Sequence, residues 1–144
     1  MGNRAVISMA CEGIPKEYSP SIYVHWNGGR NSIECFLQTA KHLKVRPEST
    51  YGMARLCQII SNFFGGNLSI GMGAYCQLDT DNPDTGVYWI NRKFEIIDRE
   101  CHVGTCCDLA EFGEAYVPRD VLRWFHRVSP QKMPRGRCWN RIMI

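Results

Sequence analysis

Long apolar runs are missing from this chain of 144 residues, and none reaches the roughly 18 residues that a bilayer-spanning helix needs. The opening residues Met1-Gly2-Asn3-Arg4-Ala5-Val6 lack the apolar core of a signal peptide, and Val6 stands where a myristoylation signal wants Ser or Thr. These absences set the expectation of a protein of the cytoplasm with no membrane partner. No internal repeat or low-complexity tract is present, which excludes solenoids and fibrous arrays. Cys-x-x-Cys pairs, the Lys-Ser/Thr of a P-loop and a nucleophile elbow are missing too. No metal, cofactor or catalytic residue is therefore expected, and the chain reads as a binding protein rather than an enzyme.

What is present is globular. Hydrophobic residues make up 44% and charged residues 22%, enough for one domain with a core that needs no staples. Charge is unevenly spread. Residues 1–118 carry a net −3, whereas 119–144 hold seven Lys/Arg against Asp120 alone. Such a basic end suits nucleic acid, an acidic protein face or plain solvation. Without a signal peptide the eight cysteines do not read as a secreted disulfide framework, and Cys35, Cys57 and Cys76, on apolar faces, read as reduced core thiols.

Hydrophobic patterning places strands over residues 3–10 and 21–26, separated by Gly13, Pro15 and Pro20. A helix is predicted from Asn31 to Leu43, with Asn31 and Glu34 close to a capping box and Ile33, Phe36, Leu37, Ala40 and Leu43 on one face. A second helix follows Ser49 or Thr50, with Met53, Leu56, Cys57, Ile60, Phe63 and Phe64 on its apolar side and Gly65-Gly66 as its stop. Alternation from Leu68 to Leu78 predicts an eleven-residue strand, whose Gly71 and Gly73 leave room for a helix or a ligand to approach. Strands at 87–90 and 94–97 would continue it as an antiparallel meander. A last helix is expected from Pro118 to Val128. The order predicts an α+β fold, an antiparallel β-sheet with two or three helices packed on one face. Residues 1–128 form the single domain, and 129–144 a basic, irregular segment.

Four constellations carry candidate chemistry. Asn27-Gly28-Gly29-Arg30 runs from a strand into a helix N-terminus, where free N–H groups attract anions. The motif is incomplete, so the turn reads first as a chain reversal; second, with Arg30 and Arg55 as clamps and Trp26 as a stacking face, it would bind a nucleotide. Asp79, Asp81 and Asp84 crowd an eight-residue turn. Calcium wants such oxygen density, but Pro83 and Ile90 occupy ligand positions of the EF-hand pattern, which leaves an acidic turn able to meet a basic partner. Cys101, Cys106, Cys107 and Cys138, with His102, have zinc-type atoms without zinc-type spacing. Arg119, Arg123 and Arg127 recur at i, i+4, i+8 and present one basic face, extended by Arg135, Arg137 and Arg141.

The blocks Gly2-Asn3-Arg4-Ala5-Val6-Ile7, Tyr23-Val24-His25-Trp26-Asn27-Gly28-Gly29-Arg30, Tyr51-Gly52-Met53-Ala54-Arg55-Leu56, Asn62-Phe63-Phe64-Gly65-Gly66 and Asp81-Asn82-Pro83-Asp84-Thr85-Gly86-Val87-Tyr88 together resemble a family of small, largely uncharacterised proteins of phages and other mobile elements. The resemblance covers residues 2–97; Pro83 departs from it, since Gly or Trp is commoner there. It implies an accessory protein in the host cytoplasm that inhibits a bacterial defence complex in the manner of an anti-CRISPR protein, by occupying a functional surface. The expected partner is a host defence protein or ribonucleoprotein complex. Asp79, Asp81, Asp84, Arg119, Arg123 and Arg127 are the expected contacts, and the C-terminal basic segment is a candidate for direct contact with nucleic acid. The alternative is a nucleotide-sequestering module built on Trp26, Arg30 and Arg55.

Overall fold

Strand β1 (Ala5–Met9) is buried along its whole length because it is the middle of a five-stranded sheet. A computed structural model describes residues 3–64 and 70–101 of the chain. Within it the sheet order is β3-β2-β1-β4-β5, with β2 Pro20–Val24, β3 Ile70–Ala74, β4 Val87–Ile90 and β5 Ile96–Glu100. All neighbours are antiparallel except β1 and β4, which run parallel. Helices α1 (Arg30–His42) and α2 (Ser49–Phe64) lie between β2 and β3 in the chain. The α+β architecture expected from sequence is therefore present.

The period of two along the strands divides the sheet into two unlike faces. Ala5, Ile7, Met9, Ile22, Val24, Tyr88 and Ile90 face the helices, where Ile33, Phe36, Leu37 and Ala40 of α1 and Met53, Leu56, Ile59 and Ile60 of α2 close a single core. Each large side chain buried there contributes about 1.5–3 kcal/mol of transfer free energy. The opposite face holds a smaller cluster of Val6, Val87 and Trp89 with Tyr23, Tyr75 and Leu78 against it. No helix among the described residues is long and apolar enough to cross a membrane.

Several local expectations are corrected. Helix α1 starts one residue early, with Gly29 as N-cap; its carbonyl accepts the Ile33 N–H at 3.1 Å. Asn31 is thus inside the first turn and forms no capping box, and Arg30 takes Glu34 in an i, i+4 pair at 3.0 Å instead. The strand expected to run to Leu78 ends at Ala74 in β3, because Tyr75–Gln77 turns into a 3₁₀ segment that drops under the second face. The Tyr75 ring, stacked on Trp89 at 5.4 Å, outcompetes continued alternation. Met72 is consequently 50% exposed and Cys76 lies outside the core. What approaches Gly73 is its own chain, through Gln77 and Leu78.

The meander holds in its second half, where β4 and β5 pair antiparallel, and gives way in its first. After β3 at one edge, the chain crosses to lay β4 parallel to β1, because the start of β4 is tied to the start of β1. Val6 N–H donates to the Gly86 carbonyl at 2.9 Å, Thr85 N–H to the Arg4 carbonyl at 3.2 Å, and the Thr85 hydroxyl donates to that same carbonyl. The last strand begins at Ile96 rather than Phe94, since Phe94 sits in a turn with φ 57° and is buried in the core. Asn91 shapes that turn by accepting the Lys93 and Glu95 N–H groups. Leu68 and the helix expected at 118–128 lie outside the described residues.

Candidate functional site

The Gly-Gly turn is fixed from within. Asn27 takes φ 58°, and Gly28 donates its N–H to the Asn3 carbonyl at 2.8 Å. A Cβ on Gly28 would stand 2.5 Å from that oxygen, so the glycine is needed to pass the chain against residues 3–5. Arg30 lines a cleft of about 270 Å³ with Leu37, Lys41, Phe94 and Glu95, already paired to Glu34 on its wall. Trp26 is outside this cleft, 45% exposed and edge-on to His25 at 5.0 Å. Arg55 is on α2 and bonds Gln58 at 2.8 Å. Of the three residues expected to hold a nucleotide, Arg30 alone lines this cleft.

The acidic turn is a brace as well as a projection. Asn82, 1% exposed, donates to the carbonyls of Asp79 and Gly86 and accepts the N–H groups of Thr85 and Gly86, between 2.9 and 3.2 Å. Gly86 has φ +71°, and a Cβ there would collide with the Glu100 backbone. Asp84 accepts both the backbone N–H and the Nε of Arg4, at 3.0 and 2.8 Å, and Asp79 accepts Arg4 Nη1 at 3.3 Å. The Arg4 side chain and backbone bonds, with His25 nearby, hold the Asp84 carboxyl below the usual range. Of the three aspartates, Asp79 and Asp84 thus meet an arginine of their own chain.

A third cluster was not anticipated. Glu100 Oε1 accepts Lys16 Nζ at 2.5 Å and Trp89 Nε1 at 2.9 Å, and its Oε2 accepts the Tyr75 hydroxyl at 2.6 Å. Lys16 Nζ also sits 5.0 Å from the Tyr75 ring centre and 5.9 Å from that of Trp89, within cation–π range. Burial pushes the Glu100 carboxyl up, but the three donors outweigh it and hold it below the usual range; the same pair raises Lys16. Burial and the bond to Glu100 both push the Tyr75 phenol up. Beside the cluster is a cleft of about 370 Å³ walled by Ala10, Cys11, Ile14, Trp89, Ile97 and Asp98. Its members come from a 3₁₀ turn, the β3–β4 crossover and two strands. The only sequence signal is two aromatic residues, Tyr75 and Trp89, near an acidic strand end.

The outer edge of β3 is the remaining feature. Tyr75 N–H bonds the Ser19 carbonyl at 2.9 Å, which fixes Gly73 and Gly71 as the residues bonded to β2 and turns the backbone groups of Ile70, Met72 and Ala74 outward. The Ala74 N–H is taken by Gln77 Oε1. Among the described residues no strand pairs with this edge.

Arg119, Arg123 and Arg127, with Cys106, Cys107 and Cys138, lie outside the described residues. Cys101 is disulfide-bonded. Cys35 and Cys57 are free and half-buried, and burial raises both thiols. Among the described residues no three His, Cys, Asp or Glu converge as metal ligands. No family model, curated protein or solved structure matches this chain.

Proposed function

We propose that this chain is a binding protein that acts by occupying the surface of a larger partner, and that it engages the partner through the outer edge of β3. The observation that carries the reading is the composition and state of that edge. Ile70-Gly71-Met72-Gly73-Ala74 holds no charge and no proline, its central side chain is half exposed, and its outward N–H and C=O groups meet no described strand. Exposed edges are ordinarily blunted by Lys, Pro, inward charges or bulges, because an unblunted edge pairs with any extended segment. A partner strand added there gains main-chain hydrogen bonds, and Met72 supplies an adaptable apolar contact beside them.

The identity of the partner rests on the resemblance of residues 2–97 to small phage and mobile-element proteins, which favours a bacterial defence complex. The acidic turn supports the same mode of action. Four bonds from Asn82 and the Arg4 clamp fix its shape before any encounter, so the turn meets a partner at little entropic cost.

The experiment is phage plating on cells that carry one defined defence system, with and without the protein expressed. Restored plating in at least one system, lost on Met72→Pro, is the expected result. Failure to restore plating in every system of a broad panel overturns the defence assignment. Restoration that survives Met72→Pro overturns the edge as the contact.

A further inference from the structure

Lys16 lies in an arrangement built to receive an ammonium group. One carboxylate oxygen of Glu100 meets its Nζ at 2.5 Å, and the stacked rings of Tyr75 and Trp89 lie 5.0 and 5.9 Å away. The receiving groups are fixed independently of Lys16. Trp89 is 8% exposed, its indole N–H is bound to Glu100, and the Tyr75 hydroxyl is bound to the other oxygen of the same carboxylate. Lys16 itself is held less firmly, with its side chain half exposed on a three-residue turn.

The adjoining cleft has the shape and charge for a second cation of the same type. Ile14 and Ile97, both exposed, and Ala10 offer an apolar wall that suits a four-carbon stem. Asp98 and Glu100 set two negative charges against the single positive charge of Lys16.

We propose that Tyr75, Trp89 and Glu100 form a recognition box for a lysine side chain of a partner protein, occupied by Lys16 in the isolated chain and entered by exchange. The partner's stem lies along the cleft between Ile14 and Ile97, and its ammonium replaces that of Lys16 on Glu100 while Asp98 neutralises the displaced charge. No bond is made or broken. Because Lys16 is tethered beside the box, its local concentration is in the millimolar range, and it suppresses weak competitors. This site is separate from the β3 edge and does not depend on it.

The test uses n-butylammonium as the probe, the lysine side chain without its backbone, with n-butanol as the uncharged match. Two readouts are followed: the indole N–H resonance of Trp89, and the rate at which iodoacetamide alkylates Cys11, which lines the same cleft. In Lys16→Met the probe is expected to bind saturably at least tenfold more tightly than in the unaltered protein. It should also slow Cys11 alkylation, while n-butanol does neither. Adding Glu100→Gln to Lys16→Met should abolish the gain. Lys16→Ala serves as a second empty-box variant, and the Trp89 and Tyr75 resonances report that each variant keeps its fold. Absence of saturable binding in both folded variants overturns the proposal, as does equal response to n-butanol.

Discussion

β3 and β5 close the same sheet at opposite ends and are finished in different ways. β5 carries Asp98, Arg99 and Glu100, and its pairing with β4 is broken by an irregularity between Trp89 and Ile90. Charges and bulges of this kind discourage a further strand. Glu100 also points back over the sheet, where it gathers Lys16, Tyr75 and Trp89. β3 has two glycines, no charge and an exposed methionine at its centre. The difference teaches that, among the described residues, one edge is spent on holding the fold together and the other pairs with no strand.

Glu100→Ala attacks the first half of that contrast and carries the largest expected effect on stability. It leaves the Trp89 indole and the Tyr75 hydroxyl without their acceptor, each at a cost of about 1–3 kcal/mol. Urea unfolding should show a total loss of about 2–4 kcal/mol, and a change within error would mean that the cluster is ornamental. Met72→Pro attacks the second half. It removes an outward N–H and leaves the bonds of Gly71 and Gly73 to β2 in place, since proline is tolerated where the N–H faces away from the ladder. Partner affinity should fall by about tenfold to a hundredfold, equivalent to ~1.4–2.8 kcal/mol, with Tm almost unchanged. Calorimetry against the partner, paired with a thermal melt, separates the two effects.

Acid and alkali should act on opposite sides of this balance. Asp84 and Glu100 have lowered folded-state pKa values, so their contribution to stability is complete above the ordinary carboxylate range. It is lost as pH falls through their lower folded values. Lys16 is raised, so its contribution is complete below the ordinary lysine range and is lost as pH rises through its higher folded value. Melting temperature measured across pH should therefore fall at both ends, and Asp84→Asn should flatten the acid limb. The smallest effect is expected at Trp26, exposed and edge-on to His25. Trp26→Ala should alter stability by less than about 0.5 kcal/mol, and a larger loss in a melt would restore the Gly-Gly turn as more than a chain reversal.

The helix-covered side of the molecule was legible in the sequence, and the other side was not. Ile33, Phe36, Leu37 and Ala40, like Met53, Leu56 and Ile60, repeat at helical spacing because they meet one continuous face. The second face is assembled from single long-range contacts that leave no period. Arg4 binds Asp84 across eighty positions of sequence, Lys16 meets Glu100, and Tyr75 leaves its strand to stack on Trp89. An alternating run from 68 to 78 therefore predicts one strand, and the order of strands alone predicts a meander in which β4 follows β3 instead of lying beside β1. The acidic turn is visible as a turn, but nothing in the sequence singles out its organiser, Asn82, from the three aspartates beside it. Of the residues proposed around the Gly-Gly turn, Arg30 bonds Glu34 and Arg55 bonds Gln58, each on its own helix, pairings that follow from helical spacing alone.

The availability of the β3 edge is tested most directly by amide hydrogen exchange of Ile70 and Met72 in the free protein and in its complex with the captured partner. If the edge is the contact, both amides exchange freely in the isolated chain and slow by at least about tenfold in the complex, the protection of one ordered hydrogen bond. Unchanged exchange at both, in a complex that is fully formed, would contradict it.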